Sequence, residues 1–160
     1  MIESSIRIAK AHDIPIILEF IKGLAKYENL TDEVSATEEL LREALFERKM
    51  AEVIIEDYEG EPAGFALFFH NFSTFLGKPG IYLEDLYIKP EFRGKGLGKN
   101  LLSYLAKVAV ERNCGRLEWS CLDWNEPSIK FYKGLGALPM QEWTTYRLSD
   151  ERLSKLSEET

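Results

Sequence analysis

Apolar and polar residues alternate with two different periods along the chain, and each period predicts one kind of secondary structure. A period of two predicts a β-strand, and an apolar stripe at helical spacing predicts an α-helix. The predicted strands cover residues 5–10, 53–56, 64–69, 81–89, 116–122 and 144–148. The predicted helices cover about residues 14–28, 35–48, 98–112 and 126–135. This mixture predicts an α/β or α+β fold in which helices pack on the faces of a central sheet.

The first two helices carry recognisable start signals. Asp13 precedes an apolar helical stripe with Pro15 in its first turn, which predicts that Asp13 caps this helix. Ser35 and Glu38 have the spacing of a capping box before the second helix. Glu28 falls on the apolar stripe of the first helix, so its carboxylate lies either at a frayed helix end or in the lining of a pocket.

Length and composition restrict the class of protein. The 160 residues contain no repeat or linker, which predicts one domain over residues 1–160. The first ten residues lack a signal-peptide pattern, and the two cysteines form no disulfide framework, so a cytoplasmic location with reduced thiols is expected. The longest uncharged apolar run, residues 65–69, is too short to cross a membrane, so no membrane partner is expected.

The chain is acidic, with 27 acidic and 20 basic side chains and a net charge of -7. This balance argues against nucleic acid as a partner, because nucleic-acid binding needs a basic surface. It is compatible with attraction of a cationic substrate and equally with a charge that only maintains solubility. His12 and His70 have no partners at metal-ligand spacing, so no metal site is expected.

A glycine-rich segment between a predicted strand and helix is the strongest chemical signal. It consists of Arg93, Gly94, Lys95, Gly96, Leu97 and Gly98. Glycines let the backbone approach a ligand closely, and the following helix directs unpaired N–H groups and its positive dipole end towards the loop. With two flanking cations, the pattern predicts a site for a pyrophosphate.

Two better-known phosphate motifs do not fit this segment. A Walker loop requires glycine at the position of Arg93 and serine or threonine at the position of Asn100. The dinucleotide fingerprint G-x-G-x-x-G requires a glycine at the position of Lys99. The loop therefore indicates a different class of phosphate-binding protein.

The segment from Arg93 to Gly98 resembles the Arg/Gln-x-x-Gly-x-Gly/Ala pyrophosphate loop of the GNAT acetyltransferase superfamily. Residues 82–87 (YLEDLY), 24–28 (LAKYE) and 124–132 (WNEPSIKFY) are similar to the spermidine/spermine N-acetyltransferase branch, which includes thialysine acetyltransferases. The resemblance implies a GNAT fold, with a central mixed, mostly antiparallel sheet flanked by helices and split by a gap that admits pantetheine. It also implies acetyl-CoA as co-substrate, a small amine as acceptor, and a homodimer.

The resemblance also implies roles for individual residues. Glu84 is expected to be the water-linked general base, and Tyr132 the group near the CoA sulfur. Asp85 and Glu28, together with Glu84, are expected to bind the cationic acceptor. The residues expected to contact acetyl-CoA are Leu86 and Ile88 through their backbone, Tyr87, the loop residues Arg93, Gly94, Lys95, Gly96, Leu97 and Gly98, and Asn125 and Ser128.

The residue patterns themselves leave some of these roles open. Tyr132 has the periodicity of a core residue, and Asn125 can cap the helix that follows it. Glu84 and Asp85 interrupt a strand that otherwise reads as buried, and alternation sends them to opposite faces unless a bulge intervenes. The rival functions are acetylation of another amine, on an amino acid or a protein, and non-catalytic binding of acetyl-CoA. No activated Cys or Ser constellation is visible, which favours direct transfer in a ternary complex.

Overall fold

The computed structural model describes residues 3–159, so the first two residues and the last residue of the predicted domain 1–160 lie outside the described residues. The chain divides into two compact units, one ending at Leu122 and the other beginning at Asp123. The first unit contains β1 (Ser4–Ile8), α1 (Ile14–Tyr27), α2 (Glu38–Leu41), β2 (Glu52–Tyr58), β3 (Glu61–Ser73), β4 (Lys78–Ile88), α3 (Leu97–Glu111) and β5 (Leu117–Trp119). The second contains α4 (Glu126–Gly134) and α5 (Asp150–Ser157).

The strands of the first unit form one five-stranded sheet in the order β1-β2-β3-β4-β5. The first four strands are antiparallel neighbours, and β5 is parallel to β4 after a crossover through α3. Short turns join β2 to β3 and β3 to β4, whereas the connection from β1 to β2 contains α1 and α2. The prediction of a mixed, mostly antiparallel sheet with flanking helices is therefore confirmed.

Helices α1 and α3 cover opposite faces of this sheet. Val53 and Ile55 of β2 lie in one apolar core with Phe20 of α1. Glu56 points to the other face, because successive side chains of a strand alternate, and there it contacts Asn100 of α3. The buried side chains of α3 are Leu97, Leu101, Leu102, Leu105 and Ala109. Each face of the sheet is thus buried under a helix whose apolar stripe the sequence predicts.

Both predicted helix caps are corrected by the structure. Asp13 precedes α1, but its carboxylate accepts hydrogen bonds from Arg7 and from the Lys10 N–H rather than from an amide of α1. Burial acts to raise the pKa of Asp13, but these hydrogen bonds outweigh it, and the pKa is lowered. The second cap is Thr37, whose hydroxyl accepts from the Leu40 N–H, because the helix begins at Glu38 and not near Ser35.

The prediction of a strand at residues 144–148 is wrong. These residues form no helix or strand, and Tyr146 is 92% exposed. Strand propensity expresses how well a side chain fits a pleated, half-buried surface, and within residues 123–159 no strand offers such a surface. Helix α5, which follows this segment, was not predicted. No helix among the described residues is long and apolar enough to cross a membrane.

Candidate functional site

The predicted phosphate loop connects β4 to α3 through a short 3-10 turn at Pro90–Phe92. Gly96 has φ of 80° and immediately precedes α3, so a residue with a side chain would be strained there. A Cβ at Gly98, inside the first turn of α3, would meet no atom within 4 Å. Glycine destabilises a helix, and no packing among the described residues requires one here, so this position leaves open space in which a ligand could approach the backbone.

Both cations of the loop lie on aromatic rings. The Arg93 guanidinium lies 5.0 Å from the ring centroid of Tyr27 and 5.6 Å from that of Tyr87. Its Nε donates to the Ile88 carbonyl oxygen at 2.9 Å, and Lys95 Nζ lies 5.2 Å from the Tyr58 ring. Within residues 3–159 neither cation is within ion-pair distance of a carboxylate. Their charges therefore remain available to an anion at the loop.

The strand that leads into this loop has one backbone edge that is only partly paired. Strand β4 pairs with β3 along its whole length, but it pairs with β5 only from Ile81 to Leu83. Among the described residues no strand pairs with this edge at Leu86, Tyr87 or Ile88. Backbone N–H and C=O groups on such an edge can hydrogen-bond an extended ligand in the way a strand would.

Side chains at this end of β4 differ in what they can contact. Tyr87 is buried against Phe20 and Phe65, and its hydroxyl occupies the space that a Cβ at Gly23 would need. The side chain of Tyr87 is thus fixed against the core, and its expected contribution to cofactor binding stays a prediction. Leu86 and Ile88 are half-buried.

A β-bulge separates the two adjacent carboxylates of β4. Leu67 of β3 pairs with Asp85, and the next residue, Phe68, pairs with Leu83, so Glu84 is the extra residue of the bulge. Glu84 is exposed, whereas Asp85 is half-buried and two residues from the buried Tyr87, on the same face of the strand. A bulge, the one feature that would break the alternation of Glu84 and Asp85 along the strand, is therefore present.

Glu28 joins these two residues in one acidic cluster. Burial raises the pKa of Asp85 to about 6, and the negative charges of Glu84 and Glu28 add to the effect. Burial and the charge of Glu84 also raise the pKa of Glu28, which is the residue that follows α1. The charges of neighbouring carboxylates thus contribute to the raised pKa values of Asp85 and Glu28, and a bound cation would offset this repulsion.

A cleft of about 500 Å³ lies beside this cluster. It is lined from α1 by Gly23, Lys26 and Tyr27, and from the end of β4 and the loop by Tyr87 and Arg93, among others. Tyr27 is adjacent to Glu28 in sequence, and Tyr87 lies two residues from Asp85, so the cleft adjoins the acidic cluster. A small organic molecule fits a cleft of this size.

The second unit contains the remaining predicted residues. Asn125 is buried, and its side chain accepts a hydrogen bond from the Ser128 N–H, so it caps α4 as the sequence allows. Tyr132 is half-buried in α4, with its ring centroid 5.6 Å from that of Phe131. The expected roles of Asn125, Ser128 and Tyr132 towards acetyl-CoA stay predictions.

Sequence reasoning located the loop and the acidic cluster but missed the cleft between α1 and β4. The stacking of Arg93 on Tyr27 joins the loop to the distant helix α1, and no local sequence pattern predicts this contact. The glycine inside α1, Gly23, was the one available signal, because a glycine in a helical stripe often marks a close approach. Among the described residues no group of three metal-ligating side chains is arranged to hold a metal ion.

Comparisons with known proteins agree with this geometry. Residues 21–137 match the profile of the acetyltransferase (GNAT) family. Thialysine N-epsilon-acetyltransferase of Bos taurus is 37% identical over 95% of this chain and 96% of its own length. The human spermidine/spermine N(1)-acetyltransferase-like protein 1 is 31% identical over 92% of this chain and 23% of its own length. An integron cassette protein from the V. cholerae mobile metagenome has a similar structure, with a TM-score of 0.82, 29% identity and 99% coverage of both chains.

Proposed function

Because the chain belongs to the GNAT family of N-acetyltransferases, we propose that it transfers an acetyl group from acetyl-CoA directly to a small cationic amine. The observation that carries this proposal is the acidic cluster of Glu28, Glu84 and Asp85, two of which lie on β4, the strand that leads into the glycine loop. The carboxylates proposed to bind the amine are thus joined by β4 to the loop proposed to bind phosphate. The acceptors that best fit are a polyamine, a diamine or thialysine.

Acetyl-CoA is proposed to lie along the unpaired edge of β4 and across the start of α3. The backbone of Leu86, Tyr87 and Ile88 would bind pantetheine, and the amides from Gly94 to Gly98 would bind the pyrophosphate. Arg93 and Lys95 would contribute positive charge, and Asn125 and Ser128 further contacts from α4. An N–H of the same strand edge would stabilise the oxyanion that develops when the amine attacks the thioester.

The acceptor amine must lose a proton before it attacks, because its reference pKa is about 10.4. Glu84 is proposed to receive this proton through water, and its exposed position in the bulge gives water access to its carboxylate. Asp85 and Glu28 would hold the remaining positive charge of the substrate. Tyr132 would hydrogen-bond the departing CoA thiolate, so that the products are the N-acetylated amine and CoA.

We further propose that residues 1–160 act as one domain, in a cytoplasmic homodimer. The low cysteine content supports the location, and the assembly is proposed from the resemblance to the spermidine/spermine N-acetyltransferase branch alone. The sedimentation of the purified chain over a concentration series tests the assembly directly.

A release assay for free CoA over a panel of acceptors tests the proposed function. With the wild-type protein and acetyl-CoA, we expect spermidine, 1,4-diaminobutane or thialysine to be acetylated with a kcat/KM at least about tenfold higher than that of butylamine, a difference of 1.4 kcal/mol. Comparison of thialysine with the polyamines separates an acceptor that carries a carboxylate from one that does not. Equal rates for neutral amines and monoamines would contradict selection of a cation.

The variant Glu28→Gln tests the acceptor-binding role of the cluster. We expect the KM for a diamine to rise about three- to tenfold while the KM for a monoamine of equal length changes less. Only the diamine has a second ammonium group whose ion pair with Glu28 would be lost. The control is Glu33→Gln, which makes the same change of net charge at an exposed residue of a neighbouring turn. An unchanged diamine preference in Glu28→Gln would remove Glu28 from the site.

The raised pKa of Asp85 predicts opposite effects of pH on binding and on stability. A cationic acceptor binds ionised Asp85, so its KM should rise as pH falls through about 6, and Asp85→Asn should abolish this dependence. In the free protein a raised carboxylate pKa lowers the free energy of unfolding as pH rises from about 4 to above 6, by on the order of 3 kcal/mol. Asp85→Asn should therefore be more stable than the wild type at pH 7 but not at pH 4. Parallel stability curves for the two proteins would contradict the assigned pKa.

A further inference from the structure

Glu56 is a carboxylic acid in the core of the sheet. It is fully buried in β2, on the face that α3 covers, where its neighbours on β1 and β3 are Ile6 and Gly64. Burial raises its pKa, while hydrogen bonding from Asn100 and Ser4 acts in the opposite direction. Its Oε2 is buried without a hydrogen-bond partner among residues 3–159. A buried carboxyl group with an unpaired oxygen destabilises a fold, so packing alone does not explain a glutamate at this position.

One hydrogen-bond partner of this carboxyl group is at the start of α3. Asn100 Nδ2 donates to Glu56 Oε1 at 2.9 Å, although the two residues are 44 positions apart. The backbone N–H of Asn100 donates to the carbonyl oxygen of Gly96, the glycine with positive φ that ends the loop. Asn100 is therefore attached to the loop through its backbone and to the sheet through its side chain.

We infer that Glu56 and Asn100 are positioning residues for acetyl-CoA binding, because they fix the first turn of α3, and with it the phosphate-binding amides, against the sheet. This inference rests on the proposed role of the loop. A helix terminus binds phosphate well only when its N–H groups are held in one orientation. The buried apolar side chains of α3, including Leu97 in the first turn, also hold the helix on the sheet, but apolar contacts fix the rotation of that turn less specifically than a hydrogen bond does.

The test compares variants in calorimetric CoA binding and in steady-state kinetics with acetyl-CoA. Glu56→Met removes the acceptor but fills the space, and Asn100→Ala removes the donor at an exposed residue. Each should raise the Kd of CoA about three- to tenfold, the amount expected for loss of one ordering hydrogen bond. The KM for acetyl-CoA should rise likewise with kcat unchanged, and the double variant should be no worse than either single one. Glu56→Gln, which keeps an acceptor oxygen, should bind CoA like the wild type.

Ile54→Val is the matched control. Ile54 is buried on the same face of β2, two residues from Glu56, so this change lowers the temperature of unfolding without touching Asn100. The inference is overturned if folded Asn100→Ala binds CoA like the wild type, or if Ile54→Val weakens CoA binding equally. Should Glu56→Met fail to fold, Asn100→Ala alone decides.

The variant Gly96→Val, measured alongside, separates the positioning role from the proposed role of the loop. If Gly96→Val binds CoA with wild-type affinity, the loop does not bind the phosphates. If Gly96→Val loses affinity for CoA while Asn100→Ala keeps it, only the positioning role is contradicted.

Discussion

Replacement of Tyr132 by Phe is expected to lower kcat by about 10²- to 10⁴-fold while the Kd of CoA changes little. This corresponds to about 3–5 kcal/mol of lost transition-state stabilisation, because each tenfold in rate is 1.36 kcal/mol. The variant is expected to lower kcat and not CoA affinity because the hydroxyl acts on the departing sulfur and not on bound CoA before the reaction. A phenol with a pKa of about 10 does not transfer its proton completely to a thiolate whose thiol has a pKa near 8.5, but it hydrogen-bonds the charge that develops on the departing sulfur.

The measurement needs a control for the loss of a phenol hydroxyl from the same part of the chain. Tyr146→Phe supplies it, because Tyr146 is almost fully exposed in the second unit. Solvent viscosity should leave the kcat of Tyr132→Phe unchanged, which shows that chemistry limits the rate. If kcat stays at the wild-type value under conditions where chemistry limits the wild type, Tyr132 is a packing residue, as its periodicity alone suggests.

The sheet was predictable from the sequence because its strands are buried by helices. Strand β4 was predicted at residues 81–89 and observed at Lys78–Ile88, and β2 was likewise located by its apolar core. Strand β3 was predicted too short, at 64–69 instead of Glu61–Ser73. Its outer residues alternate between half-buried and exposed, and they pair with a neighbouring strand without the apolar pattern that marks a covered strand.

The parts of the site that could be predicted are those whose residues lie close together in the sequence. Three alternating glycines predict the loop, and two carboxylates inside an apolar strand single out Glu84 and Asp85, although the bulge between them was only an exception that the pattern left open. The stacking of Arg93 on Tyr27 and the hydrogen bond from Asn100 to Glu56 could not be predicted, because both depend on which segments the sheet brings together. A buried Glu56 even contradicts the strand pattern, since a charged residue normally marks the solvent face.

Replacement of Gly96 by Val is expected to raise the Kd of CoA at least about 100-fold, or 2.7 kcal/mol. Valine is strongly disfavoured at the φ of 80° that Gly96 adopts, so the amides around it would turn away from their present directions. Loss of one or two charge-assisted hydrogen bonds to phosphate accounts for a change of this size. The new side chain would also project into the open space beside the loop, where a Cβ meets no protein atom within 4 Å.

Gly60→Val separates this effect from backbone strain in general. Gly60 lies in the β2–β3 turn, has φ of 84°, and like Gly96 has no atom within 4 Å of the position of a Cβ. The two variants should therefore lose similar amounts of stability in thermal unfolding, because valine is equally strained at both positions. Only Gly96→Val should lose affinity for CoA in calorimetry. Equal CoA affinity in both folded variants would mean that phosphate binds elsewhere. A ligand bound at the start of α3 would be weakened by Gly96→Val, because this variant changes the directions of the amides there.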